Sequence, residues 1–125
     1  MVGNCRIQEG SACAGADLSG IDLGSTTVGR DVIRRGARLK GINLQGANLS
    51  GARLVETVLE EANLSNANLT GADLTSAFLF KANLNGANLT NATLIRADTD
   101  EVTMDGVILC NTTMPDGTIH NDNCP

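Results

Sequence analysis

An apolar residue recurs at every fifth position from Leu39 to Leu94, and the series continues as Thr99, Met104, Leu109 and Met114. The residue two places before each of these is usually Ala. The one between is usually Asn or Asp, and the two that follow are mostly Gly, Ser, Asn, Thr or charged. Written A-[N/D]-L-x-x, the unit fills residues 37–111 fifteen times over, most cleanly as A-N-L-S-N-A-N-L-T-G-A-D-L from Ala62 to Leu74. A five-residue period makes no apolar stripe on an α-helix, where each unit would turn it by about 140°. In extended chain, Ala and Leu two apart share one side and the residue between them points away. Each unit therefore predicts a three-residue strand followed by a polar corner. Four corners close a square, so one coil takes twenty residues.

Alignment at twenty residues sorts the centres onto four faces. Leu39, Leu59, Leu79 and Thr99 share the first, and Leu44, Leu64, Leu84 and Met104 the second. Leu49, Leu69, Leu89 and Leu109 share the third, and Leu54, Leu74, Leu94 and Met114 the fourth. One Leu per side fits a narrow tube when the other inward residue is small, with Ile42, Val102 and Val107 as the larger exceptions. Upstream, Leu18, Leu23, Val28 and Ile33 keep the same period one residue out of phase. The sequence thus predicts two further units around Val28 and Ile33 and a bulge before Leu39 that absorbs the extra residue. Nearly five coils, stacked at about 4.8 Å, make a rod roughly 25 Å long. Asn43, Asn63, Asn83 and Asn48, Asn68, Asn88 fall in outward columns, where stacked amides are expected to form ladders.

Uninterrupted A-[N/D]-L-x-x in tandem resembles the pentapeptide-repeat family, and that resemblance implies a right-handed quadrilateral parallel β-helix, an all-β solenoid. The expected organisation is an N-terminal cap over 1–15, the β-helix over 16–111 and a C-terminal cap or tail over 112–125. The ending C-N-T-T-M-P-D-G-T-I-H-N-D-N-C, from Cys110 to Cys124, is similar to the tail of cyanobacterial and plastid-lumen members. Another branch of the family, the gyrase-inhibiting quinolone-resistance proteins, resembles duplex DNA in shape and charge. That gives the alternative expectation of a DNA mimic acting on gyrase or topoisomerase. A short rod, a basic first part and a cysteine-bracketed end count against it.

Composition narrows the chemistry. The chain has 42% hydrophobic residues but two Phe, no Tyr and no Trp, which suits a filled Leu/Ala tube and not an aromatic-lined pocket. The net charge of −5 is uneven: through Arg53 there are seven Lys/Arg against four Asp/Glu, and beyond it two against ten. Cys5 with Cys13 and Cys110 with Cys124 flank the repeats and suggest two local disulfides that fasten the ends, the family resemblance supporting the second pair better. A zinc site is the rival, although C-x-x-C spacing is missing and His120 is the sole histidine. No nucleophile–base pair, phosphate loop or H-E-x-x-H is present, and Asp98 to Asp105 lacks EF-hand order. No catalytic residue, cofactor or metal is expected, and the chain reads as a non-enzyme.

What remains is surface. On the first face the outward residues are Arg38, Val58, Phe78, Asp98 and Lys40, Glu60, Phe80, Asp100; the fourth face carries Val55, Thr75 and Ile95. Val58, Phe78, Phe80, Val55 and Ile95 replace the usual Asn, Ser and Thr, and they are the candidates for a partner surface. The expectation is a monomeric structural or interaction module that presents this decorated edge to a protein partner not identified by the sequence. Membrane insertion is not expected, nor is nucleic acid as a partner. The cysteines and the tail favour a thylakoid lumen or periplasm, any targeting segment having been removed; a cytoplasmic protein is the alternative.

Overall fold

Why these residues coil is visible at each corner. The computed structural model describes residues 5–28 and 30–125. At each turn the N–H of the next Ala-position residue donates to the carbonyl of the central residue, as from Ala62 to Leu59 at 3.0 Å and Ala87 to Leu84 at 3.0 Å. The residue before that Ala lies in the left-handed region, with φ near 60° at Glu61, Asn66 and Lys81 and near 70° at Gly41, Gly86 and Gly106. The second position of the unit serves the same corner. Asn43, Asn63 and Asn83 each accept, through Oδ1, the backbone N–H two residues on, at 3.1, 3.0 and 2.9 Å. Asn48, Asn68 and Asn88 do likewise at 3.0, 3.1 and 3.0 Å. The expected Asn ladders between coils are therefore replaced by bonds within each coil. A short side chain with an acceptor oxygen is what such an Asx turn needs, which is why Asp73 and Asp98 serve equally well.

The coils stack into a right-handed quadrilateral parallel β-helix. Parallel bridges run Asn43–Asn63–Asn83–Thr103 on the second face and Asn48–Asn68–Asn88–Ile108 on the third. They run Arg53–Asp73–Thr93–Thr113 on the fourth and Arg38–Val58–Phe78–Asp98 on the first. Inside, Leu59, Leu64, Leu69, Leu74, Leu79, Leu84, Leu89 and Leu94 are wholly buried, with Ala62, Ala67, Ala72, Ala77, Ala82 and Ala87 beside them. Where Thr takes the Ala position its hydroxyl finds a carbonyl: Thr57 Oγ1 donates to Leu23 O at 3.1 Å and Thr112 Oγ1 to Leu89 O at 2.7 Å.

The N-terminal part departs from expectation. Ala12, Asp17 and Asp22 bridge to Asn43, Asn48 and Arg53, an offset of 31 residues where each later rung has 20. Stacking has already begun at Gly10, whose N–H donates to Lys40 O, so coil structure reaches into the 1–15 segment. Eleven residues leave the ladder instead of continuing it. They include an antiparallel hairpin, β1 (Thr26–Val28) paired with β2 (Asp31–Arg34), with a bulge between Thr26 and Thr27. Val28 and Ile33 therefore belong to this hairpin and not to two further repeat units. The excursion leaves the corner intact, for Ala37 N–H still donates to Leu23 O at 2.8 Å across the inserted residues.

A disulfide sits at each end of the coil. Cys13 takes the inward position that Leu44 holds one coil on, and it is joined to Cys5 with their Cα atoms 4.8 Å apart. Cys110 and Cys124 are joined with Cα atoms 4.7 Å apart. The second disulfide holds a tail in which β3 (Thr112–Thr113) pairs with β4 (Ile119–His120). Between β4 and Cys124, the Asn123 side chain accepts from Leu109 N and donates to Val107 O, both at 2.7 Å, while Asn121 Oδ1 accepts from Asn111 N at 2.8 Å. These amides take the place of the next coil's peptide groups and cover the open strand edge.

Candidate protein-docking site

The two places where the repeat is broken meet in space. Thr27 and Val32 of the hairpin, with Arg35 just after it, face Arg38 and Phe78 of the first face across a cleft of about 260 Å³. Ser25, Gly36 and Glu56 complete the lining where the excursion leaves and rejoins the coil. Phe78 is 42% exposed and Val32 57%, so the cleft has two apolar walls open to solvent. Val58, the rung between Arg38 and Phe78, is half-buried.

The base of the hairpin is held by a small polar network. Asp22 Oδ1 takes Arg34 Nη2 at 2.7 Å and Arg53 Nη1 at 3.1 Å. Arg34 Nε donates to Gly24 O at 3.0 Å, and Arg53 Nη2 to Ser25 O at 2.6 Å. Ser25 Oγ donates to Glu56 Oε1 at 2.6 Å. Gly24 and Gly36 bracket the excursion because the backbone passes close by at both points. A Cβ at Gly36 would fall on the Glu56 carbonyl, and one at Gly24 would lie 2.8 Å from Arg53 Nη1 and 2.9 Å from Val55 N. The close approach fixes where the hairpin leaves the coil.

The Gly24 N–H bond to Asp22, helped by Arg53 and Arg34 and opposed by desolvation, holds the Asp22 carboxyl below the ordinary carboxylate range. A depressed folded pKa contributes stability above the unfolded value, near 3.9, and loses it as pH falls through the folded one. Hairpin anchoring is therefore expected to be unchanged from neutral pH down to about 4 and to loosen below that. Protection of β1 and β2 amides, measured relative to the intrinsic exchange rate at each pH, should fall below about pH 4 in the wild type. In Asp22→Asn, which keeps an acceptor for Gly24 N–H but no titrating charge, that protection should be somewhat lower and independent of pH; an unchanged acid profile in that variant would exclude the mechanism.

The remaining candidates are dispersed. Phe80 is half-buried on the other side of Leu79, with Lys81 Nζ 5.3 Å from its ring centre, and it does not line the cleft. Val55 is half-buried and Ile95 is 36% exposed on the fourth face, with Thr75 between them. Sequence reading missed Val32, Arg35 and Thr27. Their signal was present as T-T-V-G-R-D-V-I, two β-branched runs about a Gly-containing pair, which is a hairpin pattern. Among the described residues no three His, Cys, Asp or Glu side chains converge as a metal site, and no helix is long and apolar enough to cross a membrane.

A filled square tube with a surface hairpin defines a β-solenoid repeat protein, a class in which corners and faces carry whatever is recognised. The Pentapeptide repeats pattern matches in eight copies over residues 37–75 and 74–111, and the chain belongs to that family. A pentapeptide repeat protein of the Arabidopsis thaliana thylakoid lumen is 31% identical over 96% of this chain and 74% of its own, with a TM-score of 0.50. HetL, a pentapeptide repeat protein involved in heterocyst differentiation regulation in the cyanobacterium Nostoc, is 31% identical over 89% of this chain and 52% of its own, with a TM-score of 0.41. QnrB1, a plasmid-mediated fluoroquinolone resistance protein, is 18% identical over 85% of this chain and 54% of its own; its TM-score of 0.66 speaks for the shared fold alone. This chain thus spans about half the length of the last two. No protein with a curated description matches it.

Proposed function

We propose that the protein is a non-catalytic interaction module that presents the hairpin-flanked first face to a protein partner. One observation carries the reading. The hairpin and the apolar substitution Phe78, two unrelated departures from the repeat, form the two walls of one cleft. Neither takes part in the closure of the repeat, since the corner hydrogen bond from Ala37 to Leu23 spans the hairpin and an outward Phe lies outside the Leu/Ala core.

Joining Ser25 directly to Ala37 tests this. The shortened chain is expected to keep its melting temperature within a few degrees, because it restores the twenty-residue offset. It should lose the partners that cross-linking captures with the full chain, as should Phe78→Ser. Equal capture by both variants would remove the reading. A DNA-mimic role against gyrase is opposed by the cations Arg35 and Arg38 at the cleft, and inhibition of supercoiling at micromolar protein would reinstate it. The two disulfides favour an oxidising compartment, a lumen or periplasm.

A further inference from the structure

The chemistry of the cleft narrows the kind of segment it accepts, granted that it is a docking site. Its charged rim is net cationic. Arg35 and Arg38 are exposed and make no ion pair among the described residues, against one anion, Glu56, whose carboxylate is held toward the Ser25 hydroxyl and keeps its charge. Of the apolar walls, Phe78 is two rungs from Arg38, and Val32 lines the cleft from the hairpin. Two rungs are about 10 Å, the reach of about three residues of extended chain. One rung further on, the same column ends in Asp98. From its N-terminal end the first face therefore runs cationic, apolar, anionic.

We propose that this cleft binds an extended acidic segment of a partner protein, its carboxylates at Arg35 and Arg38 and one large apolar side chain, two or three residues away, between Val32 and Phe78. The volume of 260 Å³ is below the ~300–1,000 Å³ of sites that enclose small molecules, and the cleft is open, so it suits an anchoring side chain. A nucleic-acid strand fits the electrostatics poorly, because its phosphates would run on from Arg38 into Asp98. Charge pairs on an open rim set the direction and selectivity of binding, and the apolar contact supplies most of the retention.

The test uses the full oxidised chain and four labelled peptides followed by fluorescence anisotropy. One has three carboxylates two residues before a single Phe; the others replace the carboxylates by amides, replace them by Lys, or replace the Phe by Gly. The first is expected to bind saturably below about 1 mM. The amide and Gly peptides, and the Arg35→Glu/Arg38→Glu variant, should bind about tenfold more weakly. Binding should also weaken as salt rises from roughly 0.05 to 0.3 M. Phe78→Ser should weaken the first peptide but leave the Gly peptide unchanged. Equal or tighter binding of the Lys or amide peptide overturns the proposal; if that binding still depends on Phe78, docking at the cleft survives and only the acidic partner is lost. No binding by any of the four also overturns it. If partner capture is then unaltered by removal of residues 26–36, the docking reading falls as well.

Discussion

Leu69→Ala is expected to destabilise the protein by about 3–5 kcal/mol, among the largest effects open to a single side chain. Leu69 is wholly buried, and its neighbours along the tube, Leu49 and Leu89, are held in place by the coil ladder. Small inward residues such as Ala67 and Ala72 cannot expand to fill the gap, and the backbone of a square coil cannot collapse without opening its corner bonds. The cavity term should therefore be near the top of its usual range. Met104→Ala, in the last coil, is the control. Met104 is partly buried at the end of the core, so its loss should cost less, about 1–2 kcal/mol. Urea denaturation followed by circular dichroism measures both. A Leu69→Ala cost below about 1 kcal/mol would mean that the tube relaxes far more than its hydrogen-bond pattern indicates.

The second large effect concerns the C-terminal end. Converting Cys110 and Cys124 to Ser is expected to cost about 3 kcal/mol by the loop-closure account, and to lower the melting temperature by on the order of 10 °C. The loss should be felt beyond the cysteines. Leu109 N and Asn111 N donate to side chains of Asn123 and Asn121, so freeing the tail uncovers both amides. Their protection should be lost almost entirely in the double variant, whereas Leu69 and Leu89 should stay protected and lose only what the fall in global stability takes. Unchanged protection at Leu109 would show that the Asn caps hold without the disulfide. Alkylation of protein drawn from its native source should find no free thiol; four reactive thiols would place the chain in a reducing compartment and remove both the disulfides and the proposal of a lumen or periplasm.

Much of the scaffold could be read from residues alone, for a physical reason. Each unit repeats the same local instruction: a small inward residue, a turn-forming Asn or Asp, an inward Leu and two corner residues. Period and alternation were sufficient to place Leu39 to Leu94 inside. The role of Asn was misjudged because a column of like amides admits two bonding patterns, and only backbone geometry shows that each Oδ1 turns to its own chain. The hairpin was misread through an accident of length. Eleven residues exceed two repeat units by one, so Val28 and Ile33 fell almost in phase and imitated two further coil sides. The cleft could not be seen for the same reason, since it exists only when the hairpin leaves the ladder and comes to face Phe78. The Asn121 and Asn123 caps left no signal either, because a side-chain amide that substitutes for a peptide group has no periodicity to reveal it.

The bond from Ala37 to Leu23 has a wider consequence for how such a rod can change. A corner that stays shut over eleven extra residues behaves as a socket, receiving an insert without transmitting its length to the rungs on either side. The entropic cost of a longer insert grows only slowly with its size. Inserts at this corner are thus free of the five-residue metre that governs the rest of the chain. New recognition loops can be exchanged there while the load on the Leu stack stays constant, so specificity and stability are free to evolve on separate residues.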